Sequence, residues 1–346
     1  MSLQFAATLP AEERELGDFL CGTFRASPQA ASFRRETLHW KYFAEHPEYR
    51  GPRSYVVRGE RGIVAHAGIW PIDLLRNSSR ARAIHLIDWA AAPEAPGTGL
   101  LLLRKLAEKA DLLLTIGGSS DTQAILPKIG SKHLGDLKMY ARVVRPTLQL
   151  RTTPRAGWKA ALKFLRNAAI HPGRLPSLPK NWEALPIADF DASMASILDA
   201  DGNSGVFRAR RTVAGLNHML ECPAAIFSAF HVLRSGKPRG YLVLSRAGHQ
   251  SRIADLRVQG DDADWECAAS LATRTAAASP EVCEVVAGFS NGRIQQALEQ
   301  CGFRLRRADP IFGYDPRRLP DSAELDLNLL DGDACFMHDP QNPYLS

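Results

Sequence analysis

Cysteine is scarce in this sequence, and its six occurrences form no CxxC pair. Scattered cysteines of this kind predict reduced thiols in apolar surroundings, and they argue against a disulfide framework and against a zinc centre. We therefore expect no metal in this protein. The six residues are Cys21, Cys222, Cys267, Cys283, Cys301 and Cys335.

Long apolar runs are also missing. No stretch approaches the roughly 20 consecutive apolar residues that span a bilayer, and the start of the chain lacks the basic-then-apolar order of a secretory signal. These absences predict a cytoplasmic protein without a transmembrane segment. The chain also lacks a GxSxG motif, so Ser119, Ser120 and Asp121 make no hydrolase triad.

The remaining composition is that of an ordinary globular protein. Hydrophobic residues make up 45% of the chain and charged residues 23%, which is close to the averages of folded domains. At 346 residues, and with roughly 100 to 200 residues in a typical domain, the length predicts two domains.

Charge is distributed unevenly along the chain. The net charge of +6 equals the excess between Arg151 and Pro186, where seven basic residues occur with a single acid, Glu183. From Pro320 to the end there are six acids and neither Lys nor Arg. Because the basic excess is confined to one segment without a recognition motif, we expect no dedicated nucleic-acid binding.

The basic segment contains an amphipathic helix. Its apolar face would carry Trp158, Leu162, Leu165 and Ala169. Its basic face would carry Lys159, Lys163 and Arg166. We favour a linker helix that docks by its apolar face and leaves its charges solvated. The alternative is a helix that lies on an anionic membrane surface, which would make the protein pellet with anionic liposomes and come off in high salt.

The order of elements predicts an α+β fold. Two amphipathic helices come first, and a hairpin over 54–75 and a strand over 84–92 follow. The unit continues with a glycine loop, a helix over 100–110, a buried strand over 111–118, a short helix over 122–130 and strands near 133–145.

This order recurs in the second half of the chain. Segments 210–223, 227–245, 252–278 and 284–303 match 34–47, the first hairpin, 84–110 and 112–131, in that order. The match places Asp255 on Asp88, and it predicts two copies of a unit of about 140 residues. The predicted organisation is a first domain over 1–150, a basic linker over 151–186, a second domain over 187–319 and an acidic tail over 320–346.

The stretch over 84–110 combines a strand, a glycine loop and the start of a helix. Pro93 and Pro96 stop regular structure, and Gly97 and Gly99 leave the loop without bulky side chains. Free backbone N–H groups at a helix start, together with the helix dipole, bind anions such as a phosphate. The predicted diphosphate-binding residues are Ala91, Ala92, Glu94, Pro96, Gly97, Thr98, Gly99, Leu100 and Leu101.

The strand, the PExxGxG loop with its helix, and the later strand–helix–Gly-Phe segment resemble the GNAT superfamily of acyl-CoA N-acyltransferases. The tandem arrangement is similar to that of double-domain GNAT proteins and of the FemAB-like transferases of bacterial envelope synthesis. The resemblance covers roughly 30–145 and 187–316. It implies two GNAT-like domains, each a mixed, mostly antiparallel sheet flanked by helices, with acetyl-CoA or another acyl-CoA as substrate.

The loop matches the family pattern V-x-P-E-x-R/Q-G-x-G-x-G/A in part. Pro96 stands where the family has Arg or Gln, and Leu101 stands where it has the second Gly or Ala. The backbone donors remain, so the resemblance implies acyl-CoA binding by the first copy. The second copy has acids at the matching loop, namely Asp261, Asp262, Asp264 and Glu266. Because like charges oppose a pyrophosphate, we expect that copy not to bind CoA.

Acyl transfer to an amine needs a base for the ammonium and an acid for the leaving thiolate. In the family, a carboxylate on the strand before the loop often serves as base and a Tyr as acid. The resemblance implies that Asp88 is the base, although inter-domain hydrogen bonds could instead satisfy this carboxylate. The family's Tyr position falls on Leu126 and on Leu298, which leaves Tyr140 as a substitute.

Other groups have two interpretations each. His85 and His133 are minor candidates for a base. The aromatic cluster at 40–43 resembles the W-K-Y segment of envelope-associated GNAT proteins, where it would help form the acceptor side, but helix core is the favoured role. Asp331 and Asp333 could ligate a cation, but we favour a solvated or docking tail.

The sequence thus predicts an acyl-CoA-dependent N-acyltransferase that acts on an amine of a small molecule or of an envelope or polysaccharide precursor. Two alternatives stay open. A non-catalytic GNAT-fold binding or scaffold protein would explain Pro96 and the missing Tyr. A FemAB-like aminoacyl transferase would use charged tRNA, and the basic linker is its only support.

Overall fold

The computed structural model describes residues 3–27, 30–77, 79–154, 158–170, 174–199, 205–314 and 324–346. The helices are α1 (Glu13–Phe24), α2 (Arg35–Tyr42), α3 (Thr98–Ala107), α4 (Ser120–Ile125), α5 (Pro146–Thr152), α6 (Trp158–Ile170), α7 (Ala195–Asp199), α8 (Val213–Leu220), α9 (Asp262–Ala276) and α10 (Gly292–Gln300). Within the described ranges, no helix is long and apolar enough to cross a bilayer.

The strands are β1 (Gln4–Ala7), β2 (Ser54–Gly59), β3 (Gly62–Arg76), β4 (Ser79–Ala91), β5 (Leu112–Ile116), β6 (Lys132–Val143), β7 (Trp182–Ile187), β8 (Phe207–Ala209), β9 (Ile226–Arg234), β10 (Lys237–Ala247), β11 (Gln250–Val258), β12 (Glu284–Phe289), β13 (Arg304–Tyr314) and β14 (Leu325–Asp326). All of them belong to one 14-stranded sheet. A mixed sheet flanked by helices confirms the α+β class.

The two halves of the chain exchange their last strands. The sheet runs β1-β2-β3-β4-β5-β13-β6-β12-β11-β10-β9-β7, so β13 of the second half lies between β5 and β6 of the first. Strand β6 in turn pairs with β12 of the second half. The tandem units therefore share one continuous sheet, and neither unit completes its sheet with its own strands alone.

Equivalent parallel pairs occur in both halves. Strand β4 pairs in parallel with β5, and β11 pairs in parallel with β12. A parallel pair needs a crossover connection, which α3 supplies in the first half and α9 in the second. The repeated β-α-β order agrees with the repeat that the sequence indicates.

Alternate residues of each strand face opposite sides of the sheet. On one side, Ile84 and Leu86 of β4 pack against α3, and the second half packs β11 and β12 against α9 and α10. On the other side, α1, α2 and α8 contribute to a core common to both halves. Buried residues of the acidic tail complete that core, namely Leu325, Leu327, Leu329, Leu330, Cys335 and Phe336. The tail is thus docked by its apolar residues.

Helix α6 does not dock by its apolar face, so the orientation that we favoured from the sequence was wrong. Its apolar side chains are exposed: Trp158 by 70%, Leu162 by 55% and Leu165 by 61%. The buried side carries Asn167, which donates to Gln149 Oε1 at 2.8 Å. The helix docks this way because an amide network, rather than apolar contact, holds it.

Candidate active site

Strands β4 and β5 separate before β4 ends. Their parallel pairing covers only 83–85 of β4 and 112–114 of β5, while β4 continues along β3 as far as Ala91. The same separation occurs in the second half, where β11 pairs with β12 over 250–253 and continues to Val258. In both halves a carboxylate lies just after the pairing stops, Asp88 in the first and Asp255 in the second.

A bulge in β4 sets the direction of Asp88. The register between β3 and β4 shifts between His66 and Gly68, and Asp88 has a φ of 46°, a left-handed conformation that is uncommon outside glycine. His66 holds this bulge, since its Nδ1 donates to the Asp88 carbonyl at 2.9 Å and its Nε2 lies 3.0 Å from Ser54 Oγ. The Asp88 side chain consequently meets α2.

The Asp88 carboxylate is held by the end of α2. Lys41 Nζ and Tyr42 Oη both donate to Asp88 Oδ2, and Lys41 Nζ also lies 3.5 Å from Asp333 Oδ2 of the tail. The Lys41 side chain is 0% exposed, that of Asp88 4% and that of Asp333 17%. One buried ammonium therefore lies between two carboxylates.

This environment shifts the pKa of the two carboxyls in opposite directions. Burial raises the pKa of Asp88, but the attraction of Lys41 outweighs burial and leaves it below its ordinary value. Burial raises the pKa of Asp333, and repulsion from Asp88 adds to this increase. Burial lowers the pKa of Lys41, but Asp88 and Asp333 together raise it above its ordinary value. Asp333 is thus the carboxyl that accepts a proton more readily.

A glycine on β3 makes room for this cluster. A Cβ atom at Gly68 would lie 2.6 Å from Tyr42 Cε1 and 3.0 Å from Ile87 Cγ1. Any larger residue would push Tyr42 away from Asp88, because real Cβ atoms do not approach their neighbours so closely. Gly68 therefore sets how closely α2 can approach the strand.

The loop after β4 exposes backbone donors at the start of α3. Gly97 has a φ of 85°, which favours glycine, and α3 begins at Thr98. Thr98 N donates to Ala95 O and Leu101 N to Gly97 O. Among the described residues, the amides of Gly97, Gly99 and Leu100 have no hydrogen-bond acceptor, as is usual for the first residues of a helix.

The predicted diphosphate-binding residues run from the end of β4 through the loop into the first turn of α3. Glu94, Pro96 and Gly97 are exposed, and Ala92 and Thr98 are buried. The half-buried residues are Ala91, Gly99, Leu100 and Leu101. The Trp89 indole donates to Gly99 O at 3.0 Å, so it packs against the loop and limits how large residue 99 can be.

In the second half, the corresponding carboxylate is Asp255, which Arg211 and Arg257 both approach. Arg211 Nε donates to Asp255 Oδ2 at 2.7 Å, and Arg211 Nη1 donates to Asp331 Oδ1 at 2.6 Å. Asp255 also accepts from Tyr241 and from Asn328. Its side chain is 0% exposed, and the protein's own donors occupy both of its oxygens.

The start of α9 is occupied by its own acids. The Asp261 side chain caps the helix by accepting from Asp264 N at 3.0 Å. A Cβ at Gly260 would lie 2.0 Å from Asp264 Oδ2. Carboxylates therefore stand where a phosphate would need to bind, and the absence of CoA binding by this copy stays a prediction.

No protein-family model matches the sequence, and no curated protein does. Solved structures do match. A GCN5-related N-acetyltransferase from Anabaena variabilis has a TM-score of 0.59 at 14% identity, over 90% of this chain and 72% of that one. A tandem GNAT protein from the clavulanic acid biosynthesis pathway has a TM-score of 0.57 at 13% identity, over 90% and 98%. The chain has a tandem GNAT fold.

A third similar structure is the N-myristoyltransferase of Saccharomyces cerevisiae with bound myristoyl-CoA, with a TM-score of 0.58 at 9% identity, over 91% of this chain and 83% of that one. Identities this low establish the tandem GNAT fold alone. They confirm the resemblance that the loop and the repeat indicate, and the chemistry has to be argued from the residues of this chain.

Within the tandem GNAT fold, the structure does not bring Tyr140 to Asp88. Tyr140 lies on β6 in the core of the second half, where its hydroxyl donates to Glu299 Oε1 of α10 at 2.9 Å. Burial and Glu299 raise the pKa of its phenol. The phenol that does lie at Asp88 is that of Tyr42, which sequence reasoning assigned to the helix core.

The other polar candidates have structural partners. His85 is buried and donates from Nδ1 to Asp331 O at 2.9 Å, while His133 is exposed beside Asp136. Asp331 and Asp333 do face cations, but these are Arg211 and Lys41 of the chain itself. The sequence analysis did not predict these two ion pairs. The lysine of the W-K-Y segment, Lys41, was the signal that could have indicated the pair with Asp333.

We expect His66 to make the fold sensitive to acid. Burial lowers the pKa of His66 from 6.5 to about 4, so between these values the unfolded chain binds a proton that the folded chain excludes. The stability that depends on a neutral His66 is therefore fully present above pH 6.5 and is lost as the pH falls towards 4. The shift corresponds to roughly 3 kcal/mol, at about 1.4 kcal/mol per tenfold change in proton affinity.

The measurement is urea unfolding at pH 7 and at pH 4. The loss between the two should be smaller by roughly 3 kcal/mol in His66→Gln than in the wild type. His39→Gln serves as the control for the loss of an imidazole at a position that is more than half exposed. Equal losses in the wild type and His66→Gln would contradict a neutral, buried His66.

Proposed function

We propose that the first half binds an acyl-CoA at the gap between β4 and β5 and transfers the acyl group to an amine. One observation carries this proposal. Strand β4 separates from β5 after His85 and leads into a loop whose exposed Gly97 precedes α3 with free amides. A helix start with free N–H groups at the end of such a gap favours a diphosphate.

The loop would bind the diphosphate through its backbone and not through charged side chains. The amides of Gly97, Gly99 and Leu100 would hold the diphosphate, and the positive end of the α3 dipole would favour its charge. Glu94 and Pro96 are exposed and supply no positive charge. Binding through backbone donors alone is therefore expected to be weaker than in a loop with an Arg at position 96.

The base for the amine is assigned to the carboxyl pair around Lys41. Asp88 and Asp333 share one ammonium, and their pKa values lie on opposite sides of the ordinary value. Two carboxyls whose pKa values are shifted apart in this way take different roles. Because the two groups interact, the pair releases and takes up protons as a unit. In this proposal Asp333 accepts the proton and Asp88 stays ionised, while Tyr42, rather than Tyr140, supplies the hydroxyl for the leaving thiolate.

The acceptor is assigned to a cavity of about 50 Å³ between the halves. Trp70 and Leu330 form part of its apolar wall, and Glu48 and Asp73 supply carboxylates. It lies on the side of the sheet that carries α2 and α8, which is also the side of Asp88. Arg210 and Arg211 line the same cavity, and Asp73 is paired with Arg80. Glu48 and the Trp70 ring are therefore the groups that favour a cationic amine.

Calorimetric titration with acetyl-CoA tests the binding step. We expect the wild type to bind and Gly97→Glu to bind at least about tenfold more weakly, because a carboxylate would face the diphosphate and residue 97 would have a strained φ. Gly236→Glu is the matched control, since Gly236 has a φ of 74° with open space around it in the hairpin between β9 and β10. Equal affinities of wild type and Gly97→Glu would exclude this loop as the site.

A second candidate is a non-catalytic binding protein with a tandem GNAT fold. The observation in its favour is that Lys41 and Tyr42 already occupy Asp88 Oδ2 and that the tail covers this side. Release of free thiol from acetyl-CoA in the presence of a panel of amines separates the two candidates. Binding without thiol release would establish the non-catalytic alternative.

A further inference from the structure

Helix α6 presents an apolar face to solvent. Trp158, Leu162 and Leu165, which we call the α6 face, are each more than half exposed. They recur at helical spacing and therefore form one stripe. A stripe of this size on a surface helix is costly in water and marks an interaction surface.

The opposite side of α6 fixes this orientation. Asn167 is 0% exposed and donates to Gln149 Oε1 at 2.8 Å, and Gln149 Nε2 donates to Ser346 Oγ at 2.8 Å. Buried amides that are fully hydrogen-bonded are costly to separate. The α6 face therefore stays outward unless this network breaks.

A cationic cluster lies beside the α6 face. It consists of Lys163, Arg166, Arg304 and Arg306, which we call the basic cluster. Two atoms of Arg306, Nε and Nη2, are buried without a hydrogen-bond partner among the residues that the structure describes. Burial lowers the pKa of Arg306, and Arg166 and Arg304 lower it further.

The nearest acid does not neutralise the basic cluster. Glu284 raises the pKa of Lys163 and of Arg306, yet its oxygens accept from Gln250, Leu345 and Ser346. Its charge is therefore directed at the end of the tail. The guanidinium groups of Arg166 and Arg304 are exposed, so the basic cluster can offer them to an external anion.

We propose that the α6 face and the basic cluster together bind the surface of a membrane that contains anionic phospholipids. The leucines and the Trp158 ring enter the boundary between headgroups and acyl chains, where Trp is favoured. The guanidinium groups of the basic cluster hold headgroup phosphates. The charges of Lys163, Arg166 and Arg304 give this surface the sign that an anionic leaflet attracts.

Charge also distinguishes a membrane from the other partners that could bind this patch, namely a second copy of the chain or a nucleic acid. A second copy docked on the same patch would place one basic cluster against another, because a two-fold interface buries the same surface on both subunits. A nucleic acid would use the cations but leave the leucines in water. A lipid surface satisfies both parts of the patch at once.

The test is sedimentation of the full chain with vesicles. We expect the wild type to pellet with vesicles that contain phosphatidylglycerol, to pellet far less with phosphatidylcholine alone, and to be released by high salt. Leu162→Ser with Leu165→Ser should lower the vesicle partition coefficient about tenfold. Arg304→Glu, at an exposed position, should lower it about tenfold as well.

Two matched changes lie away from the patch. Ile226→Ser removes an apolar side chain that is 58% exposed on β9, and Arg239→Glu reverses an exposed charge in the β9–β10 hairpin. Both variants should bind vesicles like the wild type. Unchanged melting temperatures would show that every variant folds. The acetyl-CoA titration does not depend on this surface, so failure of one proposal leaves the other intact.

Four results would overturn the proposal. The first is a wild type that stays in the supernatant with phosphatidylglycerol vesicles. The second is equal pelleting of the wild type and the double serine variant. The third is a dimer in gel filtration that becomes a monomer in the double serine variant, since this result would assign the patch to a second copy. The fourth is tRNA retention on filters without vesicle binding, which would assign the patch to a nucleic acid.

Discussion

Replacing Lys41 by methionine is expected to lower the free energy of unfolding by about 3 to 5 kcal/mol, since it leaves buried carboxylates without their cation. Lys41 is 0% exposed and contacts Asp88 and Asp333. Methionine nearly matches the lysine in length, so the change removes the charge with little loss of packing. The expected loss comes from two desolvated carboxylates that repel each other.

Urea unfolding at pH 7 measures this effect. The variant that combines Lys41→Met with Asp88→Asn and Asp333→Asn should recover most of the loss, because it removes the unpaired charges together with the cation. Lys105→Met is the surface control. Lys105 is 46% exposed in its pair with Glu108, and its removal should cost at most about 1 kcal/mol. Similar losses for both single variants would mean that the Lys41 cluster is solvated.

Phe336→Ala is expected to lower the free energy of unfolding by about 3 to 5 kcal/mol, through lost burial and the cavity that remains. Phe336 is 0% exposed. Its ring lies 6.0 Å from that of Trp40 and 6.2 Å from that of Trp70. The change therefore separates the tail from α2 and β3 at the centre of the core that both halves share.

Met337→Ala is the control for the tail. Met337 is the next residue, is 40% exposed, and should change stability by no more than about 0.5 kcal/mol. Urea unfolding of the two variants at the same pH gives the comparison. A loss below about 1 kcal/mol for Phe336→Ala would show that the tail does not pack as the structure has it.

The local features of the fold could be predicted from the sequence. The hydrophobic period placed a strand before Gly97 and a helix after it, and the structure has β4 ending at Ala91 and α3 beginning at Thr98. The repeat predicted that Asp255 would correspond to Asp88, and both lie where a parallel pair stops. Such features follow from hydrogen bonding and burial within a few residues of the chain.

The long-range features could not be predicted. Nothing in the local pattern of β13 shows that it pairs between β5 and β6, since any strand with the right alternation can pair there. Periodicity likewise identified the apolar face of α6 but not which face would dock. The buried amides of Asn167 and Gln149 settled that.

The sequence by itself thus indicated the strand–loop–helix order around 84–110, the repeat, and the loop at 91–101 with its helix start. Only the tertiary structure decided which charges meet. Lys41 is 47 residues from Asp88 in the chain, and Asp333 joins them from the docked tail. The physical reason is that backbone pattern and burial act over short stretches, whereas the pairing of buried charges depends on positions that exist only in the folded chain.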